Sequence, residues 1–285
     1  MALRNLLVHI DGTRACDRRE DAAIAFAAEH DAHLAALYCV GELHFEGWAE
    51  WPMDVVEEQA SQAHSSAEAV VERFRGKAER AGISHETRVV RTRMNAIADR
   101  VALHARYADL AILGQVDPDE PPAGGAGLVE HVLLGCGRPV LVIPYIGAPG
   151  RGSREGVAFG RDVAVAWDAG REATRAVNDA LPILERAGRV TVVAVNPAHG
   201  PSHHGEEPGA DIALHLSRHD IGVEVQRLDT TDLSPADTLL AHVSDAFNDL
   251  LVMGGYGHSR MREIVLGGAT RHVLEQMTVP VLMSH

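Results

Sequence analysis

Residues 6–12 read LLVHIDG and residues 163–170 read VAVAWDAG: two short, mostly apolar runs, each closing on an aspartate, Asp11 or Asp168, and a glycine, Gly12 or Gly170. Such runs bounded by a turn signal predict strands buried on both faces, as in a parallel sheet. The phrases downstream recur in the same order. LAALYCV at 34–40 is echoed by VTVVAVN at 190–196, ADLAILG at 108–114 by NDLLVMG at 248–254, and RPVLVIP at 138–144 by VPVLMSH at 279–285. A further strand follows Gly82 in one copy and Gly222 in the other. Five matched segments in one order mark an internal duplication rather than two unrelated domains. The offset between copies is about 156 residues early and about 140 late. The first copy therefore carries about sixteen extra residues after its second strand, around GELHFEGWAEWPMDVVEEQ at 41–59.

Helical stretches such as 171–186 separate the strands. That alternation predicts an α/β fold: two tandem Rossmann-like or flavodoxin-like domains, each a five-stranded parallel sheet with right-handed crossovers and helices on both faces. The expected division is residues 1–146 for the first domain and 160–285 for the second. The linker, 147–159, is marked by Pro149, Gly150, Gly152 and Gly156. A sheet of this kind holds its ligand outside the carboxyl ends of its strands. Attention therefore falls on Asp11 and Asp168, on Cys39 and Val195, and on the glycines after the fourth strand.

Composition narrows the function classes. The 285 residues suffice for two ordinary domains, each able to bury its own core. Three widely spaced cysteines, Cys16, Cys39 and Cys136, give neither a disulfide framework nor a thiolate zinc site. The start of the chain has no basic segment leading into a long apolar one, and no apolar run reaches the roughly 18–20 residues of a membrane span. A cytoplasmic protein is the expectation. A net charge of −14 argues against nucleic-acid binding, because an acidic surface repels polyphosphate.

The segment GGYGHSRMREIVLGGAT, residues 254–270, is the richest in chemistry. Gly254 ends a buried strand, Gly257 follows, and Gly267 and Gly268 precede a helix expected over about 269–277. Glycines let main-chain N–H groups approach a ligand, and the first turn of a helix adds unpaired N–H groups and a partial positive charge. Together these make a backbone cradle for phosphate. Thr270 would add a hydroxyl, and Arg260, Arg262 and Arg271 outnumber Glu263 and Glu275 locally. A tight turn before a capped helix would use the same glycines, so spacing alone leaves both readings open.

The tandem repeat and this loop resemble the two-domain members of the universal stress protein family. That family carries G-x2-G-x9-G-[S/T] after its fourth strand, where its nucleotide-binding members hold the ribose and phosphates of ATP. Gly254, Gly257 and Gly267 stand at those spacings, while Gly268 replaces the hydroxyl residue. The resemblance implies ATP or another adenine nucleotide as ligand. Its adenosine would face Asp168, Val195 and Met253, and its ribose and phosphates would face Gly254, Gly257, His258, Gly267, Gly268, Ala269 and Thr270. The family's D-G-[S/T] phrase becomes Asp168-Ala169-Gly170 here. The first copy departs further: after Gly114 comes Gln115-Val116-Asp117-Pro118-Asp119-Glu120-Pro121-Pro122, and Ala126-Gly127 stand where the last pair should be. Acidic side chains and prolines make a poor phosphate cradle, so the first site is read as nucleotide-incompetent despite its Asp11-Gly12-Thr13. The resemblance also implies that the final strands of the two copies pair, so that the chain imitates a homodimer; further self-association is compatible with it.

Other patterns carry less. There is no P-loop motif, and Gly254-Gly255-Tyr256-Gly257 lacks the spacing and position of a dinucleotide fingerprint. His199, His203, His204, Glu206 and Glu207 crowd one loop, and His215 and His219 are four apart, a spacing that metal sites use but solvated helix faces use more often. No base or activated nucleophile is marked, so no catalytic residue is named. Phe45, Trp48 and Trp51 are read either as an exposed contact surface or, the favoured reading, as packing over the first site. The functional expectation is a stress-response protein binding an adenine nucleotide in its second domain. The alternatives are a nucleotide-free interaction module of the same fold and, last, a weak ATPase.

Overall fold

The computed structural model describes residues 2–42, 53–120, 124–125, 127–148, 159–197, 207–257 and 268–285, with only the backbone described for 53–64. The first half runs β1 (Asn5–Ile10), α1 (Arg14–His30), β2 (His33–Glu42), α2 (Met53–Ala81), β3 (His85–Arg93), α3 (Ile97–Ala105), β4 (Leu110–Gly114), α4 (Leu128–Cys136) and β5 (Val140–Ile143). The second repeats the order with β6 (Asp162–Ala166), α5 (Arg171–Leu184), β7 (Arg189–Val195), α6 (Ala210–Ser217), β8 (Val223–Leu228), α7 (Pro235–Asp245), β9 (Leu250–Gly254), α8 (Gly268–Gln276) and β10 (Val281–Ser284).

The strands form one ten-stranded sheet in the order β3-β2-β1-β4-β5-β10-β9-β6-β7-β8. Within each half all pairings are parallel, as the crossover helices require. The central strands are apolar along their whole length because helices cover both faces. Apolar side chains of α1, α2, α5 and α6 form a core on one face of the sheet, and those of α3, α4, α7 and α8 form a core on the other. Small residues set the helix-to-sheet distance: Ala23 and Ala27 on α1, and Ala176 and Ala180 on α5, are fully buried.

The two halves meet where β5 and β10 pair antiparallel, with Val142 opposite Val281, Leu141 opposite Leu282, and Val140 opposite Met283. Each of these six residues is essentially inaccessible to solvent. Two four-residue apolar edges that would be open to aggregation thus cover one another. Further contacts tie the halves. Phe26 of α1 stacks on Phe159 at 5.2 Å and 3°. Gln115, buried just past β4, donates its amide to the Leu274 and Glu275 carbonyls of α8 at 2.9 and 3.1 Å, while its own carbonyl accepts from the Tyr145 N–H at 3.1 Å.

The first half is also braced by buried charge. Glu20 of α1, wholly buried, takes two bonds from Arg73 of α2, at 2.8 and 3.0 Å, with Lys77 at 3.3 Å. Paired in this geometry, the carboxylate recovers the hydration it loses.

Because the seam belongs to both halves, weakening it weakens both. Leu282→Ala leaves a cavity against Leu141 and is expected to lower the unfolding free energy by about 3 kcal/mol in urea titration. One cooperative transition should be kept, whereas a split into two transitions would show that the halves fold independently of the seam.

Candidate functional site

In both halves the chain reverses direction of strand addition between the first and fourth strands, at β1/β4 and at β6/β9, so the crevice for a ligand opens at their carboxyl ends. The two crevices differ in size, about 280 Å³ in the second half against about 50 Å³ in the first.

The larger cavity depends on a close approach. A Cβ added to Gly254, at the end of β9, would lie 2.5 Å from the backbone nitrogen of Ala173 and 2.7 Å from the carbonyl carbon of Glu172. Only glycine lets β9 meet the first turn of α5 this tightly. On the other side of the crevice the chain leaves β6 through Trp167 to Asp168, whose carboxylate accepts the Gly170 N–H at 2.8 Å and closes the turn into α5. The residue between them, Ala169, is held at φ 58°, a left-handed conformation that costs a residue with a Cβ about 1 kcal/mol.

The structure brings Asp168, Val195, Met253, Gly254, Gly257 and Ala269 onto the wall of one cavity. Gly268 opens α8 and is exposed. Thr270 is buried, and its hydroxyl accepts the Tyr256 N–H at 3.1 Å, tying the glycine loop to α8 instead of lining the cavity. His258 and Gly267, with Arg260 and Arg262, lie outside the described residues. Several wall residues escape the sequence reading: Trp167, Glu172, Val193, Pro235, Ala236, Leu239 and Val273. Ser234 caps α7 by accepting the Asp237 N–H at 3.1 Å, with Pro235 in the first turn, a helix-start signal that the sequence reading did not use and that by itself does not say which cavity the helix end borders.

The first half contributes to this loop from outside. A Cβ on Gly255 would fall 2.6 Å from Leu133 of α4, and Glu130 of the same helix lies near enough to act on the Tyr256 phenol. Burial, and then the Glu130 carboxylate, push the Tyr256 phenol up from its ordinary value.

In the first half the crevice is occupied by the protein's own Arg19. This α1 side chain is buried, donates to the His9 carbonyl at 2.8 Å and pairs with Asp11 at 2.5 Å. A Cβ on Gly114, the counterpart of Gly254, would lie 2.0 Å from its guanidinium nitrogen. The Phe45, Trp48 and Trp51 segment assigned to this role lies outside the described residues; among the described ones Arg19 does the filling. Asp11 also accepts bonds from the Thr13 N–H, at 2.9 Å, and hydroxyl. Burial pushes the Asp11 carboxyl up, but Arg19, His9 and Thr13 together outweigh it and hold it at about 2. Beside it His9 is buried, and desolvation lowers it from 6.5 to about 4 against the opposing pull of Asp11.

Cys16 accepts the Asp11 N–H at 3.2 Å, and burial pushes both its thiol and that of Cys39 up to about 11, well away from nucleophilic thiolates. His215 and His219 meet edge-on at 4.9 Å, and among the described residues no group of three metal-ligating side chains forms. His199, His203, His204 and Glu206 lie outside the described residues, while Glu207 pairs with Arg227. No described helix is long and apolar enough to cross a membrane.

Comparison with known proteins places these observations. The sequence model of the universal stress protein family matches residues 160–285. A universal stress protein of Synechocystis sp. is 41% identical over 46 residues, so the chain spans only 16% of that curated relative's length, and the same share of its own. A universal stress protein from Archaeoglobus fulgidus has a similar fold over 98% of this chain and 95% of its own, with a TM-score of 0.69 at 16% identity. A functionally unknown protein from Pseudomonas aeruginosa is similar over 99% of this chain and 92% of its own, with a TM-score of 0.53 at 15% identity. At these identities the two structures speak for the tandem fold alone.

Two outcomes follow from the site geometry. Ala169→Gly relieves the left-handed backbone and should raise the unfolding free energy by about 0.5–1 kcal/mol; an unchanged or lowered melting temperature would contradict the strain. His9 gains its proton far more readily unfolded than folded. Its contribution is therefore complete above pH 6.5 and declines as the pH falls toward 4, by about 1.4 kcal/mol per pH unit. His30, also lowered to about 4 by burial, adds a similar slope. His104 and His242 are lowered by burial as well, so urea titrations from pH 7 to 4 should show His9→Gln reducing the pH dependence without abolishing it.

Proposed function

We propose, from the match of residues 160–285 to the sequence model of the universal stress protein family, that the second half of the chain binds an adenine nucleotide, while the first serves as a sealed structural partner. The single observation that carries the reading is the cavity of about 280 Å³ at the β6/β9 switch point, bordered by Gly254 and Gly257 of the spaced-glycine phrase. Its size sits at the small end of the range for small-molecule sites. Val193, Val195, Met253 and Leu239 give it apolar walls suited to a flat heterocycle, and Asp168 stands at its rim for hydroxyl donors. The backbone N–H groups opening α8 supply donors for a phosphate. Gly268 keeps the main-chain donor of the family's hydroxyl residue and lacks its side-chain donor.

The second reading, a nucleotide-free interaction module, is favoured by the sealed first crevice, where Arg19 holds the place of a ligand. It predicts an empty second site. ATP hydrolysis ranks last, because no activated base or nucleophile faces the cavity among the described residues.

Denaturing the purified protein and assaying the supernatant should release an adenine compound, and calorimetry on stripped protein should detect adenine nucleotides at millimolar concentration or below. Gly257→Val should abolish that binding while leaving the melting temperature within a few degrees. The new Cβ meets the end of the Glu172 side chain at 2.7 Å, where a flexible group can give way, and the branches project beside the cavity. An empty site with no binding of adenine ligands refutes the proposal in favour of the interaction module.

A further inference from the structure

Glu172 has no part in the glycine motif, yet it lines the cavity at the point where the motif closes on it. It is the second residue of α5, with its side chain 9% exposed. One carboxylate oxygen accepts both bonds from Arg171, at 3.0 and 2.7 Å. The other turns toward Gly257, where an added Cβ would lie 2.7 Å from it. Arg171 itself is 82% exposed and does not line the cavity, so it offsets the carboxylate from the solvent side and leaves the oxygen beside Gly257 facing the cavity. Burial pushes the Glu172 carboxyl up, but its own backbone N–H and Arg171 outweigh this, so it is ionised at neutral pH. The charged side chains on the described wall are Asp168 and Glu172, both acidic, with no lysine or arginine among them. The matching position of the first half is Ala15.

A buried carboxylate beside the glycine loop makes opposite demands on the two ends of a nucleotide. It accepts hydrogen bonds from hydroxyl or amino groups well. It also repels any phosphate bound in the same cavity, and with its side chain 9% exposed it is screened less than a surface carboxylate, though still in part. Each added phosphate raises that penalty. An acidic residue in the first turn also supports the helix, but that role is indifferent to which ligand is bound.

We propose that the second site selects adenine ligands of low negative charge, the nucleoside or its monophosphate, over the triphosphate, and that Glu172 is the residue that sets this preference. The inference rests on the nucleotide reading above and narrows its ligand class.

The test is calorimetry of the full chain with adenosine, AMP and ATP, each in metal-free buffer. Adenosine or AMP should bind at least about tenfold more tightly than ATP, and added salt should narrow the gap. Glu172→Gln should improve ATP binding by about tenfold and change adenosine binding by less than about threefold. Glu172→Asp, which keeps the charge, should keep the discrimination, so a folding defect in the glutamine variant is distinguishable from loss of repulsion. The inference is overturned if metal-free ATP binds the native protein as tightly as adenosine, or if Glu172→Gln leaves the ratio unmoved. Failure of all three ligands to bind overturns the nucleotide reading itself.

Discussion

The antiparallel joint between β5 and β10 is the constraint on which the remaining architecture depends. A five-stranded parallel sheet of this order ends on a short apolar strand with one ladder unpaired. Leaving that edge in water would expose both its hydrogen-bonding groups and side chains such as Leu141 and Leu282. Pairing the two edges removes both exposures at once and makes a single core layer on each face of the sheet. It also sets α4 of the first half against the glycine loop of the second, through Leu133 at Gly255. The first half thereby helps shape the second half's site.

The two crevices show how one backbone plan supports opposite outcomes. At the carboxyl end of β9, Gly254 lies against the backbone of α5, and the neighbouring helix positions are Ala173 and Ala176. The corresponding helix of the first half carries Arg19 at the place of Ala176, and its guanidinium fills the space beside Gly114. A buried arginine is tolerated there because Asp11 and the His9 carbonyl satisfy it. Gln115, which stands where the second copy has Gly255, has likewise acquired a use: it caps the last carbonyls of α8 across the joint. What reads as motif decay in the first half is, in the fold, support for the second.

Glu172 illustrates the complementary point within the open site. It combines an ordinary place in a helix's first turn with burial against the glycine loop. The acidity of the described wall is a property of the cavity, since none of the residues that create it are neighbours of Gly257 in sequence.

The duplication, the strand and helix order and the parallel sheets were legible in the amino-acid sequence, because they rest on short-range patterns. Apolar runs such as LLVHI and LLVMG specify buried strands, and the glycine at 254 marks a close backbone approach whatever it approaches. Helix bounds shifted by only a turn or less, with α8 beginning at Gly268 and α5 ending at Leu184. The occupants of the two crevices were not legible. Arg19 as plug, Thr270 turned onto Tyr256, Gln115 as a cap, and Glu172 beside Gly257 each depend on a partner far away in the chain or on which way a side chain packs. Periodicity carries which face a residue lies on, and only the packed structure decides what stands opposite it.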